Sequence, residues 1–288
     1  MFYFERGLRM TNIKIVTDSS CIIAPEKMVG LDVHTINLSV MIDGVIYANP
    51  RDLDPHDFMN MMKESSTLPK TSQPPIGEFV ELYDRLGSDG SEIISIHLTE
   101  KLSGTVNTAR QAANMSKSNV TVIDSDYIDQ ALGFQVHQAA TMANAGASKE
   151  EILDAIERTK ENTHLYIGVS TLDNLVKGGR VGKVMGALSG FLNMRVLLQL
   201  KGGELELRAK GRGNKTFTKW LATMTDAISQ ANITSIGISE ADGRELSEEL
   251  KNMLLTMKPE ISVPIFHTTP LVATHAGEGA FAIMYCTK

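Results

Sequence analysis

Three short polar stretches of the sequence have the composition of an anion-binding site. Glu100–Gln111 follows the strand-like run Ile93–Ile96 and passes through a Leu-Ser-Gly-Thr turn into an amphipathic helical pattern. Such a turn presents hydroxyls and backbone N–H groups at the start of a helix, which suits a carboxylate, a phosphate or a sulfate. Thr71–Gln73 and Thr274–Gly279 carry the same polar chemistry. We expect all three stretches to converge on the head group of one ligand.

The composition is that of a soluble globular protein, with 42% hydrophobic and 22% charged residues among 288. The net charge of −6 argues against a nucleic-acid-binding protein and against broad adhesion to anionic membranes. Cys21 and Cys286, the only cysteines, lie far apart and form no CxxC motif, which predicts a reducing, cytoplasmic compartment. The longest apolar run, Val184–Met194, stops at Arg195 and is shorter than the ~18 residues of a membrane span.

Strand and helix patterns alternate along the first half of the chain. Strands are predicted at Ile13–Val16, Ile93–Leu98 and Val120–Ile123, and a long helix at Tyr127–Ala145. This alternation is typical of parallel βαβ units. We therefore predict an N-terminal α/β domain over residues 12–163, preceded by an extension at residues 1–11.

Local motifs mark several turns and helix starts. Asp43-Gly44 stands between the apolar runs Val33–Ile42 and Val45–Ala48, which predicts a hairpin. Asp54-Pro55 has the pattern of an N-cap followed by a proline at the first helical position. The stretch from Ser148 to Glu151 predicts a capping box.

The second half of the chain mixes hairpins with helices. Gly202-Gly203 predicts a hairpin, and Asn214–Gln230 predicts one long helix. Residues 171–194 are rich in glycine, which suggests close approach of the backbone to another segment or to a ligand. We predict an α+β domain over residues 164–288, with the domain boundary near Thr163.

Common catalytic and cofactor motifs are missing from the sequence. There is no Walker A pattern, no GxSxG nucleophile elbow and no GxGxxG dinucleotide fingerprint. The histidines never take an HExxH or other metal-binding spacing. We therefore expect no metal site, no cofactor and no catalytic residues in this chain.

The polar stretches occur in the order seen in the DegV family, which the chain resembles from Ile13 to its C-terminus. The motifs that carry the resemblance are Thr17-Asp18-Ser19, TSQP at 71–74, LSGT at 102–105, GGR at 178–180 and THAGEGA at 274–280. The resemblance implies an α/β fold of two domains. The N-terminal domain has a parallel sheet and the C-terminal domain a mixed sheet, with an apolar ligand tunnel between them.

The characterised members of that family are bacterial fatty-acid-binding proteins, the lipid-carrying subunits of a fatty acid kinase. The resemblance implies that this chain binds a long-chain fatty acid such as palmitate, stearate or oleate. It would present the carboxylate to an ATP-dependent kinase subunit for acyl-phosphate formation. The product would pass to an acyltransferase of phospholipid synthesis, with transient membrane contact. The chain would act as a carrier and not as an enzyme.

The resemblance also assigns residues. It implies that the carboxylate is bound by Thr71, Ser103, His275 and Arg180. Arg212 and Lys215 match a basic surface position at which the kinase subunit docks. The supporting residues of the head-group loops are Asp18, Ser19, Ser72, Gly104, Thr105 and Gly277.

Two residues depart from the family pattern. Pro75 stands where the family usually has a serine, and Glu278 stands where it usually has a proline. Because Glu278 lies three residues from His275, we expect it to lower anion affinity or to hold the histidine in its charged form.

Two other functions use the same residues. Ser103 could be a nucleophile with His275 as its base, which would make the chain a serine-dependent hydrolase or acyltransferase. Alternatively, the polar stretches could bind a small anion such as a phosphorylated metabolite, without an apolar tunnel.

Overall fold

The computed structural model of the protein describes residues 12–181 and 194–288. The extension predicted at residues 1–11, and the apolar run Val184–Met194 except its last residue, lie outside them. Along the described chain, the strands are β1 (Ile13–Asp18), β2 (Val33–Ile36), β3 (Ser39–Ile42), β4 (Val45–Tyr47), β5 (Lys70–Ser72), β6 (Glu92–His97), β7 (Val120–Asp124), β8 (Thr163–Val169), β9 (Arg195–Lys201), β10 (Glu204–Gly211), β11 (Ile233–Ala241), β12 (Ile265–His267) and β13 (Ala280–Thr287). The helices are α1 (Pro25–Met28), α2 (Pro55–Glu64), α3 (Ile76–Leu86), α4 (Thr105–Met115), α5 (Asp129–Asn144), α6 (Lys149–Glu161), α7 (Asp173–Lys177), α8 (Lys215–Thr223), α9 (Thr225–Gln230), α10 (Arg244–Met257) and α11 (Pro270–Ala276).

The N-terminal part of the chain forms a parallel sheet in the order β2–β1–β6–β7. Both of its faces are buried. Val16 and Ile93 belong to the apolar cluster that includes α3 and α4, whereas Ile15 and Ile94 belong to the cluster that includes α5. Burial on both faces explains why these strands are almost continuously apolar in sequence. The predicted parallel α/β arrangement is confirmed.

The apolar run Val33–Ile42 is divided between two sheets. Its first half, β2, pairs with β1, and its second half, β3, pairs with β4 and β5 in a small antiparallel sheet. Ser19 fixes the break: its N–H donates to the carbonyl of Ile36 at 2.9 Å, and its hydroxyl accepts from the N–H of Leu38 at 3.0 Å. The hairpin at Asp43-Gly44 is confirmed, with positive φ at both residues.

The predicted helix starts are also present. The Asp54 side chain caps α2 by accepting from the N–H groups of His56 and Asp57 at 2.9 and 3.2 Å. Ser148 and Glu151 form the capping box of α6. These caps satisfy N–H groups that have no partner within their own helix.

The C-terminal part forms a mixed sheet in the order β10–β9–β8–β13–β11–β12. Its strand pairs are antiparallel except for β11 and β12, which run parallel. One face packs against α8, α9 and α10 through residues such as Phe217, Ile228 and Leu250. The other face contributes Leu165, Leu198 and other side chains to the cluster that includes α5. The hairpin at Gly202-Gly203 is confirmed.

The single helix predicted over Asn214–Gln230 is instead two helices, α8 and α9, that meet at Met224. Threonines flank this junction. The Thr223 hydroxyl donates to the carbonyl of Trp220 at 2.6 Å, and the Thr225 hydroxyl donates to that of Ala222 at 2.8 Å. Threonine hydroxyls that bond to preceding carbonyls compete with the helical pattern, which explains the break.

The change from the parallel to the mixed sheet falls between α6 and β8, at the predicted boundary near Thr163. The division into two domains at that residue stays a prediction. Among the helices of residues 12–181 and 194–288, none combines the length and the hydropathy needed to cross a bilayer.

Candidate functional site

A cavity of about 350 Å³ lies between the N-terminal and C-terminal parts of the protein. Its walls are mainly apolar side chains, such as Leu38 and Leu98 from the first part and Leu165 and Ile167 from the second. Polar side chains occur in two groups along this wall. The cavity has the volume and character of a pocket for an apolar small molecule with a polar end.

Thr71 and His275 meet at this wall although they lie 204 residues apart in sequence. The Thr71 Oγ1 and His275 Nε2 atoms are 2.9 Å apart. Thr71 lies on β5, which the sequence pattern does not predict as a strand, and β5 pairs with β3. His275 lies in the last turn of α11. The structure thus joins two of the predicted stretches.

His275 is neutral at physiological pH. Burial, together with the nearby charge of Arg180, lowers the pKa of His275 to about 4. Its Nδ1 has no hydrogen-bond partner among the described residues. The expectation that Glu278 holds the histidine in its charged form is wrong, because the pKa moves in the opposite direction. Glu278 instead pairs with Lys63 at 3.0 Å.

Ser103 and Gly104 line the same cavity, at the start of α4. The Ser103 hydroxyl accepts from the N–H of Thr105 at 3.3 Å and lies 2.9 Å from the Thr105 hydroxyl. No acidic residue occupies the first turn of α4. The partial positive charge of this helix start is therefore not neutralised from within the helix, which favours an anion there.

Gly104 has a steric role beside the serine. A Cβ atom on Gly104 would lie 2.0 Å from the Gln73 Oε1 atom. The Gln73 side chain therefore passes directly over the glycine, and its Nε2 donates to the Thr108 hydroxyl at 2.5 Å. Gln73 also lines the cavity, and it is exposed, as is Ser72 beside it. This end of the cavity therefore reaches the surface.

Arg180 contributes a guanidinium to the cavity wall. Its Nε donates to the carbonyl of Leu102 at 3.2 Å, and its Nη1 donates to that of Gly178 at 2.5 Å. These bonds hold the arginine between the glycine-rich segment and the residue that precedes Ser103. The carboxylate-binding residues assigned by resemblance, Thr71, Ser103, His275 and Arg180, therefore all line one cavity.

The supporting residues divide into two classes. Ser72 and Gly104 line the cavity, whereas Asp18, Ser19, Thr105 and Gly277 do not. The position of Asp18 explains why: this fully buried carboxylate accepts bonds from Ser20, His97 and the N–H of Leu98. Burial acts to raise the pKa of Asp18. The hydrogen bond and the charge of His97, together with the hydrogen bonds from Ser20 and Leu98, outweigh burial and lower the pKa below its usual range. Asp18 fixes the end of β1 and does not face the cavity.

Arg212 and Lys215 lie away from this cavity. They line a separate surface groove between β10 and α8, together with Arg208, Lys219 and Trp220. Arg212 and Lys215 are both exposed. The predicted docking residues therefore lie on a basic surface that is separate from the cavity.

The cavity wall also includes four polar residues outside the stretches identified from the sequence: Asp129, Ser239, Glu240 and Thr268. Asp129 is the first residue of α5, which begins there and not at Tyr127 as the sequence pattern predicts. Its Oδ1 accepts from the Ser239 hydroxyl at 2.6 Å, and its Oδ2 accepts from the Thr268 hydroxyl at 2.5 Å. Burial raises the pKa of Asp129. Glu240 lines the cavity next to Ser239. No motif marks these four residues, because they come from three separate parts of the chain: α5, β11 and the segment before α11.

The nucleophile and base expected for a hydrolase do not form a pair. The Ser103 hydroxyl contacts Thr105, and the His275 imidazole contacts Thr71. A serine nucleophile needs a base within hydrogen-bonding distance. The small-anion alternative without a tunnel is also disfavoured, because an apolar cavity leads from Ser103. Across residues 12–181 and 194–288, no group of three or more His, Cys, Asp or Glu could hold a metal ion.

The fold and the site together define an α/β protein with an apolar cavity whose wall includes Thr71, Ser103, Arg180 and His275. The family model described as "Uncharacterised protein, DegV family" matches residues 12–288. A DegV domain-containing protein of Lactococcus lactis is 52% identical over 274 residues, which cover 94% of this chain and 98% of the relative. The chain belongs to the DegV family.

Solved structures of the same family share the fold. A DegV family protein from Thermus thermophilus, described as fatty-acid-binding, is 26% identical and superposes with a TM-score of 0.88, covering 96% of this chain and 100% of that one. A DegV family protein from Eubacterium eligens was crystallised loaded with heptadecanoic acid. It is 25% identical with a TM-score of 0.81, again covering 96% of this chain and 100% of that one.

Proposed function

We propose that this chain binds a long-chain fatty acid, such as palmitate, stearate or oleate, in the cavity between its two parts. The observation that carries the proposal is the placement of Thr71, Ser103, Arg180 and His275 at one apolar cavity. Fatty acid binding by relatives of the same fold supports it.

The charges of the site suit a carboxylate. A buried carboxylate is very costly unless it is paired and hydrogen-bonded. Arg180 supplies the cation, and the start of α4 supplies a partial positive charge. His275 is neutral in the absence of ligand and can donate a hydrogen bond from one ring nitrogen.

The apolar wall supplies most of the binding free energy. Burying ~15 methylenes of an acyl chain at ~0.8 kcal/mol each stabilises the complex by roughly 12 kcal/mol before entropic costs. A small anion would gain none of this. We therefore favour a long-chain carboxylate over a small phosphorylated metabolite as the ligand.

The chain would act as a carrier for a separate, ATP-dependent kinase. Ser72 and Gln73 are exposed beside Thr71, so the carboxylate would lie near the surface, where a partner could reach it. The kinase subunit would dock on the basic groove at Arg212 and Lys215 and form an acyl phosphate. In this proposal the chain is cytoplasmic, is not itself an enzyme and uses no cofactor. It delivers the acyl phosphate to the acyltransferase of phospholipid synthesis during transient membrane contact.

Mass spectrometry of lipid extracted from the purified protein tests the ligand. We expect a long-chain fatty acid at close to one molecule per chain, and binding of added palmitate or oleate after delipidation. Absence of any extracted fatty acid, with no binding of added fatty acid, would show that the proposal is wrong. The kinase step is tested separately by supplying the loaded protein to the purified kinase with ATP and measuring acyl phosphate.

A further inference from the structure

The mouth of the cavity lies beside the carboxylate-binding residues. Of the described residues that line the cavity, Ser72 and Gln73 are the exposed ones, whereas the others are buried or half-buried. Both directly follow Thr71, which contacts His275. A ligand whose carboxylate binds at Thr71 therefore has its carboxylate near the mouth and its acyl chain farther inside. Such a ligand enters with its acyl chain first and passes Gln73.

The Gln73 side chain lies across this mouth and is held against α4. Its Nε2 donates to the hydroxyl of Thr108, in the first turn of that helix, at 2.5 Å. A Cβ atom on Gly104 would lie 3.0 Å from the Gln73 Cδ atom and closer still to Oε1, so the amide rests directly on the glycine. The side chain thus spans from the end of β5 to the start of α4 and covers the residue next to Ser103.

The backbone on both sides of Gln73 fixes the point from which this side chain starts. Ser72, the last residue of β5, pairs with β3. Pro74 and Pro75 follow, and a residue that precedes a proline favours extended conformations. Movement at this point is therefore a rotation of the Gln73 side chain, and the hydrogen bond to Thr108 opposes that rotation.

The Gln73 amide bonds to the protein itself. Its Nε2 donates to Thr108, and its Oε1, which lies over Gly104, is an acceptor and cannot bind a carboxylate. Gln73 therefore covers the empty cavity and the filled cavity in the same way. A neutral hydrogen bond from an exposed side chain contributes little free energy, so the covering position opens readily.

We propose that Gln73 is the gate of the cavity, and that its side chain swings off Gly104 each time a fatty acid enters or leaves. This inference rests on the proposed fatty acid function. Thr108 acts as the latch, because its hydroxyl holds the amide in the closed position while Thr108 itself does not line the cavity. The gate sets the rates of loading and release, whereas the residues inside the cavity set the equilibrium affinity.

Stopped-flow measurements with a fluorescent fatty acid test the gate on the delipidated protein. The association rate is measured by mixing, and the dissociation rate is measured by displacement with excess palmitate. In Gln73→Ala both rates should rise roughly fivefold, because the hydrogen bond that holds the closed state is lost. The dissociation constant should stay at its wild-type value, because opening changes entry and exit by the same factor.

Variants on α4 identify the latch. Thr108→Val removes the hydroxyl that holds the gate without changing the cavity wall, so it should also raise both rates. The double variant should be no faster than Gln73→Ala alone, because both changes break the same bond. Gln111→Ala, at an exposed position of α4, is the matched control and should behave as wild type. Thermal melting of each variant checks that it is folded.

The outcomes separate the gate from the function on which it rests. If the wild-type protein binds no fatty acid, the proposed function is wrong and the gate with it. If the wild-type protein binds fatty acid but both rates are unchanged in Gln73→Ala, the gate is wrong and fatty acid binding stands. Faster dissociation with an unchanged association rate would show that Gln73 contacts the bound ligand, which also contradicts the gate. If Gln73→Ala does not fold, the rates of Thr108→Val decide the question in the same way.

Discussion

Gly178 lies against the His275 imidazole, which occupies the space that a larger side chain at Gly178 would fill. A Cβ atom on Gly178 would lie 2.4 Å from the His275 Nδ1 atom and 2.9 Å from the carbonyl oxygen of Asn174. The backbone at Gly178 is right-handed, with φ −76 and ψ −11, so alanine meets no conformational strain there. The change Gly178→Ala therefore tests packing against the imidazole of His275 and the carbonyl of Asn174.

The magnitude follows from two effects. Overpacking of a close-packed site costs about 1–3 kcal/mol, because the Asn174 backbone cannot move away freely. Displacement of His275 also breaks its 2.9 Å bond to Thr71, which costs about 1 kcal/mol. We expect Gly178→Ala to lower the free energy of unfolding by about 2 kcal/mol. Fatty acid affinity should fall roughly tenfold, because the imidazole leaves the proposed carboxylate site.

Chemical denaturation gives the stability, displacement of a fluorescent fatty acid gives the affinity, and NMR of the His275 ring reports its environment. Gly77→Ala, in α3, is the matched control, since a Cβ atom there meets nothing within 4 Å. That control should leave affinity unchanged and stability unchanged or slightly higher. If Gly178→Ala matches Gly77→Ala in stability, affinity and His275 resonances, the packing argument is refuted.

Three further predictions concern charge. Folding stability should fall as the pH drops from about 6.5 to about 4, because unfolded His275 binds a proton at its ordinary pKa of 6.5 and the folded pKa is about 4. The free energy of unfolding should decrease by about 2–3 kcal/mol between pH 6.5 and pH 4. The variant His275→Asn should lose most of this pH dependence. Arg180→Met should weaken fatty acid binding roughly 10- to 100-fold in the displacement assay, because the carboxylate loses its cation. The control Arg244→Met, on the exposed side of α10, should leave fatty acid binding unchanged. Equal losses of affinity in both variants would contradict the assignment of Arg180. Arg212→Ala should spare fatty acid affinity but lower acyl-phosphate formation with the kinase partner; unchanged turnover would show that the docking prediction is wrong.

Much of the local structure could be predicted from the sequence, because its causes are local. The hairpins at Asp43-Gly44 and Gly202-Gly203 follow from residues that adopt positive φ. The start of α2 follows from the Asp54 cap, and the parallel sheet follows from the alternation of strand and helix patterns. The break between α8 and α9 was missed because threonine hydroxyls compete with a helical pattern that remains apolar throughout.

The candidate site could be predicted only in part. The polar stretches around Thr71, Ser103 and His275 were identified because each contains hydroxyls or glycine beside a predicted element, and the family resemblance ordered them. Asp18 belongs to such a stretch, yet its carboxylate turns to His97 and not to the cavity. The type of a residue does not determine the direction of its side chain.

The sequence by itself determined the family, the strands and helices with strong local signals, and the polar motifs that could bind an anion. Only the tertiary structure decided which polar groups meet. Thr71 contacts His275 across 204 residues, and Asp129 contacts Thr268 across 139. Such contacts depend on how two sheets pack around a cavity. Local sequence patterns do not determine that packing, because it brings together residues that are distant in sequence.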